Sequence, residues 1–277
     1  MNRISTVAFV CLFLSLIIPT HSHSQSVNWK KVKVLVFTKN GKGYVHDNIP
    51  NAVLCIQKLG KENGFSVDVS DQPVVFSEDN LKKYTLLVFP STNNDVFDTD
   101  AQRLAFRRYI EAGGGFVGIH SVMGTERNWT WFKRMIGGTF AWHPKFQKFT
   151  VEVIDTKNTS MQGLPKVWQK EDEFYFTKDM SPGPTVIMAN DLTTLNDEPE
   201  KVKQFEGSYT KLYPSAWYYN FDGGYTWCTT LGHAKTDYES DATFIKHIFQ
   251  GIRYVAGQVT KIDYNKAYAD SRDTPIR

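Results

Sequence analysis

Between Lys33 and about Gly137, short β-branched runs alternate with stretches of helical periodicity, which restricts the chain to a parallel sheet joined by crossover helices. A first strand is expected from Val32 to Phe37. A helix follows from about Asn48, with Ala52, Val53, Ile56 and Leu59 on one face and Gly64 as its stop. A second strand near Phe65 to Val69 leads through a short helical turn after Ser77 to a third strand at Leu86 to Phe89. Thr99 with Gln102 predicts a capping box for a helix running to Ala112, ended by Gly113-Gly114-Gly115. The fourth strand reads Phe116 to Ile119, and a short helix follows around Trp129 to Met135. Beyond Gly137 the segments become extended and aromatic: Phe149 to Ile154, Thr185 to Ala189, Tyr213 to Tyr218 and Tyr225 to Leu231, expected as antiparallel strands or additions to a sheet edge. Asn190 to Thr210 is a polar excursion among them. A last amphipathic helix runs from about Ala242 to Val255, and the polar tail after Gly257 is expected on the surface.

The N-terminus has a different character. Arg3 precedes an apolar run from Val7 to Ile18 and then Pro19-Thr20-His21-Ser22-His23-Ser24, the pattern of a secretory signal over residues 1–24 with cleavage before Gln25. The apolar run falls short of the roughly 20 residues that span a bilayer. The expectation is therefore a periplasmic or secreted protein, with no integral membrane segment after signal removal and a single domain over 25–277. A formal net charge of +3, lowered by one with Arg3, is too mild to indicate nucleic acid or an anionic membrane as a partner. Of three cysteines, Cys11 leaves with the signal, and Cys55 and Cys228 sit in apolar patterns that favour buried free thiols. Thirteen tyrosines and seven tryptophans suit the faces of sugar rings, with ordinary packing the better reading for any single one.

Histidines punctuate the strand ends. Open parallel sheets bind ligands beyond the carboxyl ends of their strands, so His46, His120 and His233 are candidates for one crevice although they lie far apart in sequence. His120 stands where many α/β enzymes hold a nucleophile on a strand-to-helix turn, and histidine there can serve as base, ligand or donor. His143, between Gly137-Gly138 and Pro144, has a restricted backbone that suits a site. His46 either points into the crevice or caps the first helix, and His247 on the last helix is expected to be structural or on the surface. In Glu171-Asp172-Glu173-Phe174-Tyr175, an extended backbone sends Glu173 and Tyr175 to one face and Asp172 to the other, so either carboxylate is a candidate acid or base. A solvated acidic strand is the competing reading. Trp142, Tyr175 and Trp217 are candidates for sugar contacts, with core packing as the alternative for Trp217.

Several templates are missing. There is no Walker loop, no H-E-x-x-H and no dinucleotide fingerprint, since Gly113-Gly114-Gly115 precedes a strand instead of following one. A divalent metal such as zinc would have to be gathered from His46, His120, His143 and His233 on separate loops.

Taken in order, Gly114-Gly115-Phe116-Val117-Gly118-Ile119-His120-Ser121, Gly137-Gly138-Thr139-Phe140 with His143-Pro144, Asp172-Glu173-Phe174-Tyr175, Pro214 with Trp217, and Leu231-Gly232-His233 resemble the ThuA-like, or trehalose utilisation, family. The resemblance runs from about Lys33 to Val255. It implies a class I glutamine amidotransferase-like fold, a flavodoxin-like three-layer α/β sandwich with a mostly parallel central sheet. It also implies a place in the use of trehalose or related disaccharides, and in some members a metal near the histidines. Where true amidotransferases carry a nucleophilic cysteine this chain has His120, and neither Cys55 nor Cys228 is placed to substitute, which argues against glutamine hydrolysis. Two functions stay open: an enzyme acting as hydrolase, lyase or isomerase on an oxidised or keto-glycoside, with His120, His143, Glu173 or Asp172 moving protons and His46 and His233 binding substrate, or a non-catalytic carbohydrate-binding protein.

Overall fold

A computed structural model describes residues 27–277; the signal segment 1–24, with Cys11, lies outside the described residues. In chain order the elements are β1 (Lys33–Phe37), α1 (Ile49–Asn63), β2 (Ser66–Ser70), α2 (Glu78–Leu81), β3 (Leu86–Pro90), α3 (Asp100–Glu111), β4 (Gly115–Ile119) and α4 (Thr130–Ile136). Then come β5 (Thr139–Trp142), β6 (Gln147–Val153), β7 (Val167–Asp172), β8 (Phe176–Lys178), β9 (Thr185–Asp191), α5 (Pro199–Phe205), β10 (Leu212–Phe221), β11 (Gly224–Thr229), α6 (Lys235–Glu239) and α7 (Ala242–Gln258). Nine strands form one sheet in the order β2-β1-β3-β4-β11-β10-β9-β6-β7. The half from β2 to β11 is parallel throughout, with the strand order of flavodoxin-like folds, and β10, β9, β6 and β7 extend it antiparallel.

The two faces bury different sets of side chains. Val34, Val36, Val88, Val117 and Ile119 meet Ala52, Ile56 and Leu59 of α1 and Phe244, Ile248 and Ile252 of α7. On the other face Leu35, Phe37, Leu87, Phe89 and Phe116 meet Leu81 of α2, Phe106 and Ile110 of α3 and Phe132 of α4. Alternating apolar residues with opposite faces covered give the three-layer sandwich. The helix boundaries follow local chemistry: Thr99 and Gln102 make the expected capping box at the start of α3, and Gly64 at φ +89° closes α1 in the left-handed region that glycine enters freely.

The C-terminal half departs from expectation in one topological respect. β11 is not an edge addition: it inserts beside β4, parallel to it, and pairs antiparallel with β10 across the tight Asp222-Gly223 turn, both of whose residues have positive φ. That insertion carries the end of β11, and with it His233, to the neighbourhood of β4 and His120. The polar excursion contains a short helix, α5, with Pro199 in its first turn. Both cysteines are buried free thiols, and burial raises the Cys55 thiol to about 11. The tail after α7 returns to α3, where the fully buried Arg107 donates to the Arg272 carbonyl at 3.0 Å.

Candidate functional site

Four loops converge: those after β1, β4 and β11 of the parallel half and the one after β7 of the antiparallel extension, which carry His46, His120, His233 and Glu173. One ligand atom from each lies within 4.8 Å of the others. His120 is the anchor. It begins a 3₁₀ turn (His120–Gly124) directly off β4, is fully buried, and holds φ at +53°, a left-handed backbone that costs a non-glycine residue about 1–3 kcal/mol. Its Nδ1 lies 2.9 Å from the Thr230 carbonyl oxygen, which can only accept, so Nδ1 carries a proton and Nε2 faces the cluster.

Three contacts close a triangle. His120 Nε2 is 3.3 Å from His233 Nδ1, Glu173 Oε2 is 3.1 Å from His233 Nδ1, and the same oxygen is 3.5 Å from His120 Nε2. The ring of His46 stands 4.9 Å from that of His120 and 5.4 Å from that of His233, centre to centre, and its Nδ1 is buried without a hydrogen-bond partner. His46 thus faces the crevice and is not a helix cap. His143 stays outside the four-donor group: its Nδ1 bonds the Pro144 carbonyl at 2.8 Å, and its Nε2 lies 3.5 Å from Glu173 Oε1, the opposite carboxylate oxygen.

Burial and neighbours set the charges. Burial first, then the adjacent His120 and His233, depress His46 to about 3, so it is neutral at any physiological pH. Burial alone would raise Glu173, but hydrogen bonds from His120 and His233 and the nearby imidazoles outweigh it and hold the carboxylate well below its usual range. His233 moves the other way: burial would lower it, yet the hydrogen bond and charge of Glu173 prevail and raise it. Burial, then the charges of Glu173 and Asp172, push the Tyr175 phenol well above 10, so it stays protonated; its ring packs 4.3 Å from that of His120.

Asp172 lies beneath the cluster and does not line the pocket. Fully buried, it accepts backbone N–H groups from Glu173 at 2.8 Å, Gly232 at 2.7 Å and His233 at 3.1 Å, fastening two of the converging loops to one carboxylate. Lys170, also buried, faces Asp172 at 3.8 Å, Asp241 at 3.4 Å, and Asp237. Gly232 has φ +116°, and a side chain there would meet Phe244 at 2.6 Å and the Tyr238 hydroxyl at 2.8 Å, so the turn into His233 requires glycine.

Two expected sugar contacts are placed elsewhere. Trp217 is fully buried and donates its indole N–H to the Ile136 carbonyl at 2.8 Å, so its ring is core and offers no face to a ligand. Trp142 stacks between Phe176 at 5.5 Å and Phe205 at 5.0 Å, with the Lys201 ammonium over it, and is absent from the pocket wall; the β5–β8 pairing turns it toward α5. The pocket above the cluster measures about 410 Å³ and is walled by His46, His143, Glu173 and Tyr175 together with Tyr44, Asn93, Ser121, Arg127 and Phe140. No local sequence signal marks Tyr44, Asn93 or Arg127, which sit in loops without periodicity.

Against known families, the ThuA family, described as trehalose utilisation, matches residues 33–255. The chain belongs to the ThuA family. Membership ties it to carbohydrate utilisation. A ThuA-like protein from Bacteroides uniformis superposes with a TM-score of 0.65 at 22% identity, covering 83% of this chain and 93% of that one. A ThuA-like protein from Parabacteroides merdae gives 0.62 at 18%, covering 84% and 92%. A GMP synthase protein from Thermoplasma acidophilum gives 0.50 at 13%, covering 82% and 94%. At these identities the likenesses concern the fold, which agrees with the amidotransferase-like sandwich. No curated protein matches the sequence. Among the described residues, no helix of this ThuA-family chain is long and apolar enough to cross a membrane.

Proposed function

We propose that this ThuA-family chain is an exported enzyme of disaccharide or oxidised-sugar utilisation, in which His120, His233 and Glu173, joined by His46, hold a divalent cation such as zinc. The observation that carries the reading is the triangle of donor atoms at 3.1, 3.3 and 3.5 Å. Ligands about 2.0–2.1 Å from one tetrahedral ion stand about 3.3 Å from each other. The donors fit in kind as well as in spacing: an imidazole whose outer N–H is fixed by a backbone carbonyl, a carboxylate held ionised, and in His46 a neutral ring with a buried unpartnered nitrogen. A cation there supplies polarisation of a carbonyl or hydroxyl oxygen of the sugar.

The chain's own residues supply the rest. His143, with Nδ1 committed to the Pro144 carbonyl, directs Nε2 to the pocket as a proton acceptor. The Tyr175 hydroxyl, kept protonated, and Ser121 are donors that orient a sugar oxygen in the pocket. A carbonyl next to a glycosidic carbon acidifies the neighbouring C–H, so a positioned base and an electrophile suffice for elimination or isomerisation. The burial of Trp217 and the turning away of Trp142 remove the main aromatic support for a purely stacking, non-catalytic site.

Elemental analysis of the purified protein, with turnover assays on disaccharides and keto-disaccharides, tests the proposal. One equivalent of transition metal, lost in His120→Ala, and turnover abolished in His143→Ala with the metal retained, are expected. A metal-free protein whose sugar binding survives both substitutions with no turnover would favour the binding-protein alternative.

A further inference from the structure

We infer that the mouth of this pocket selects a sugar acid, with the carboxylate taken by Arg127 and a ring face laid on Tyr44. The inference rests on the pocket being a saccharide site but not on the cation below it.

Charge is the first ground. Glu173 is the one carboxylate on the pocket wall, and its two oxygens already face His120, His233 and His143. Arg127, on the same wall, carries a permanent charge and forms no ion pair with any carboxylate among the described residues. Arg127 is thus a cation at the pocket mouth without a carboxylate partner, and an anionic group on the ligand completes it.

Preorganisation is the second. The guanidinium lies over the Phe140 ring, 5.6 Å from its centre, and donates from Nη2 to Asn93 Oδ1 at 3.3 Å. Gly124 leaves room for it, since a Cβ there would stand 2.5 Å from Nη2. Asn93 is itself fixed: it is buried, and its backbone carbonyl accepts from Gly41 N–H at 2.8 Å. A surface arginine with no role ordinarily keeps its rotamer freedom, whereas this one is held by Phe140 and Asn93 with its remaining N–H groups unspent.

The same asparagine holds the aromatic element. Asn93 Nδ2 donates to the Tyr44 carbonyl at 3.3 Å, and the Tyr44 ring, 61% exposed, packs edge-on against His46 with centres 4.8 Å apart. A solvent-facing aromatic ring and a planar guanidinium fixed by one residue at one pocket mouth match the apolar face and the carboxylate of a uronic-acid type sugar.

Titration calorimetry of the full mature chain with D-glucuronate, D-glucose and glucose 6-phosphate tests this, each on chelator-treated and on zinc-loaded protein. Glucuronate should bind about tenfold or more tightly than glucose in both states, as a charge-assisted bidentate contact implies. Arg127→Gln should bring glucuronate down to the glucose level, and Arg127→Lys should restore part of the difference. Equal binding of acid and neutral sugar, no binding of glucuronate, or a preference that survives Arg127→Gln would overturn the inference. A preference seen only with zinc present and indifferent to Arg127 would assign the carboxylate to the cation, and tighter Arg127-dependent binding of the phosphate would replace the sugar acid by a phosphosugar; either result overturns it. Absence of zinc uptake, by contrast, contradicts the proposed cation site and leaves the Arg127 result standing.

Discussion

Three side chains from three loops cannot settle at mutual distances of 3.1 to 3.5 Å unless something else fixes each of them, and Asp172 is that fixture for two. By accepting the N–H groups of Glu173, Gly232 and His233 it ties the end of β7 to the end of β11. Asp172→Asn keeps the shape but replaces one acceptor oxygen by a donor. It is expected to weaken zinc affinity about 10–100-fold, as loss of a supporting partner typically does, measured by competition with a chromophoric chelator. Glu173→Gln should abolish stoichiometric uptake in the same assay, because an amide presents no anionic donor. The strand-end histidines and Glu173 are legible as candidates in the sequence because each follows an apolar run or lies in an acidic motif. Asp172 reads in the sequence as a candidate acid or base or as part of a solvated acidic strand, whereas it is fully buried beneath the site.

At the scale of elements, legibility followed apolar periodicity. β1, β3, β4, α1, α3 and α7 bury continuous apolar runs or stripes, and their bounds agree with the pattern to within a few residues. β7 inverts the rule: its buried residues are Lys170, paired with Asp237 of α6 and Asp241 at the start of α7, and Asp172, held by Lys170 and backbone N–H groups, so its alternation is invisible to a hydrophobic template. The insertion of β11 beside β4 depends on contacts between residues more than a hundred apart, which no local window contains. The α7–β11 interface carries a pH prediction. His247, fully buried beside Thr229 at 3.1 Å, is lowered by burial, then by Lys170, to about 3, against 6.5 in the unfolded chain. Its folded pKa is depressed, so the stability it protects is complete above about 6.5 and is lost as pH falls toward 3, up to about 4–5 kcal/mol. Melting temperature should therefore drop between pH 7 and pH 4, and His247→Gln, which keeps a partner for Thr229 without a titrating ring, should flatten that dependence. Trp217→Phe should lower the melting temperature through the lost bond to Ile136 and leave sugar binding unaltered, because the indole is core.

For the whole molecule, the sandwich is a scaffold that brings the ends of β1, β4, β7 and β11 to one crevice, and the proposed cation would bind the folded chain alone. Ligand linkage then predicts stabilisation of about 2.7 kcal/mol at a hundredfold excess over the dissociation constant, visible as a zinc-dependent rise in melting temperature that a chelator reverses. Anomalous diffraction at the zinc edge from zinc-loaded crystals decides whether the cation sits at the triangle. One strong peak is expected about 2.0–2.2 Å from His120 Nε2, His233 Nδ1 and a Glu173 oxygen, with His46 as the fourth protein donor. Full-occupancy zinc elsewhere, or no peak while the three side chains stay hydrogen-bonded to one another, would refute the cation site.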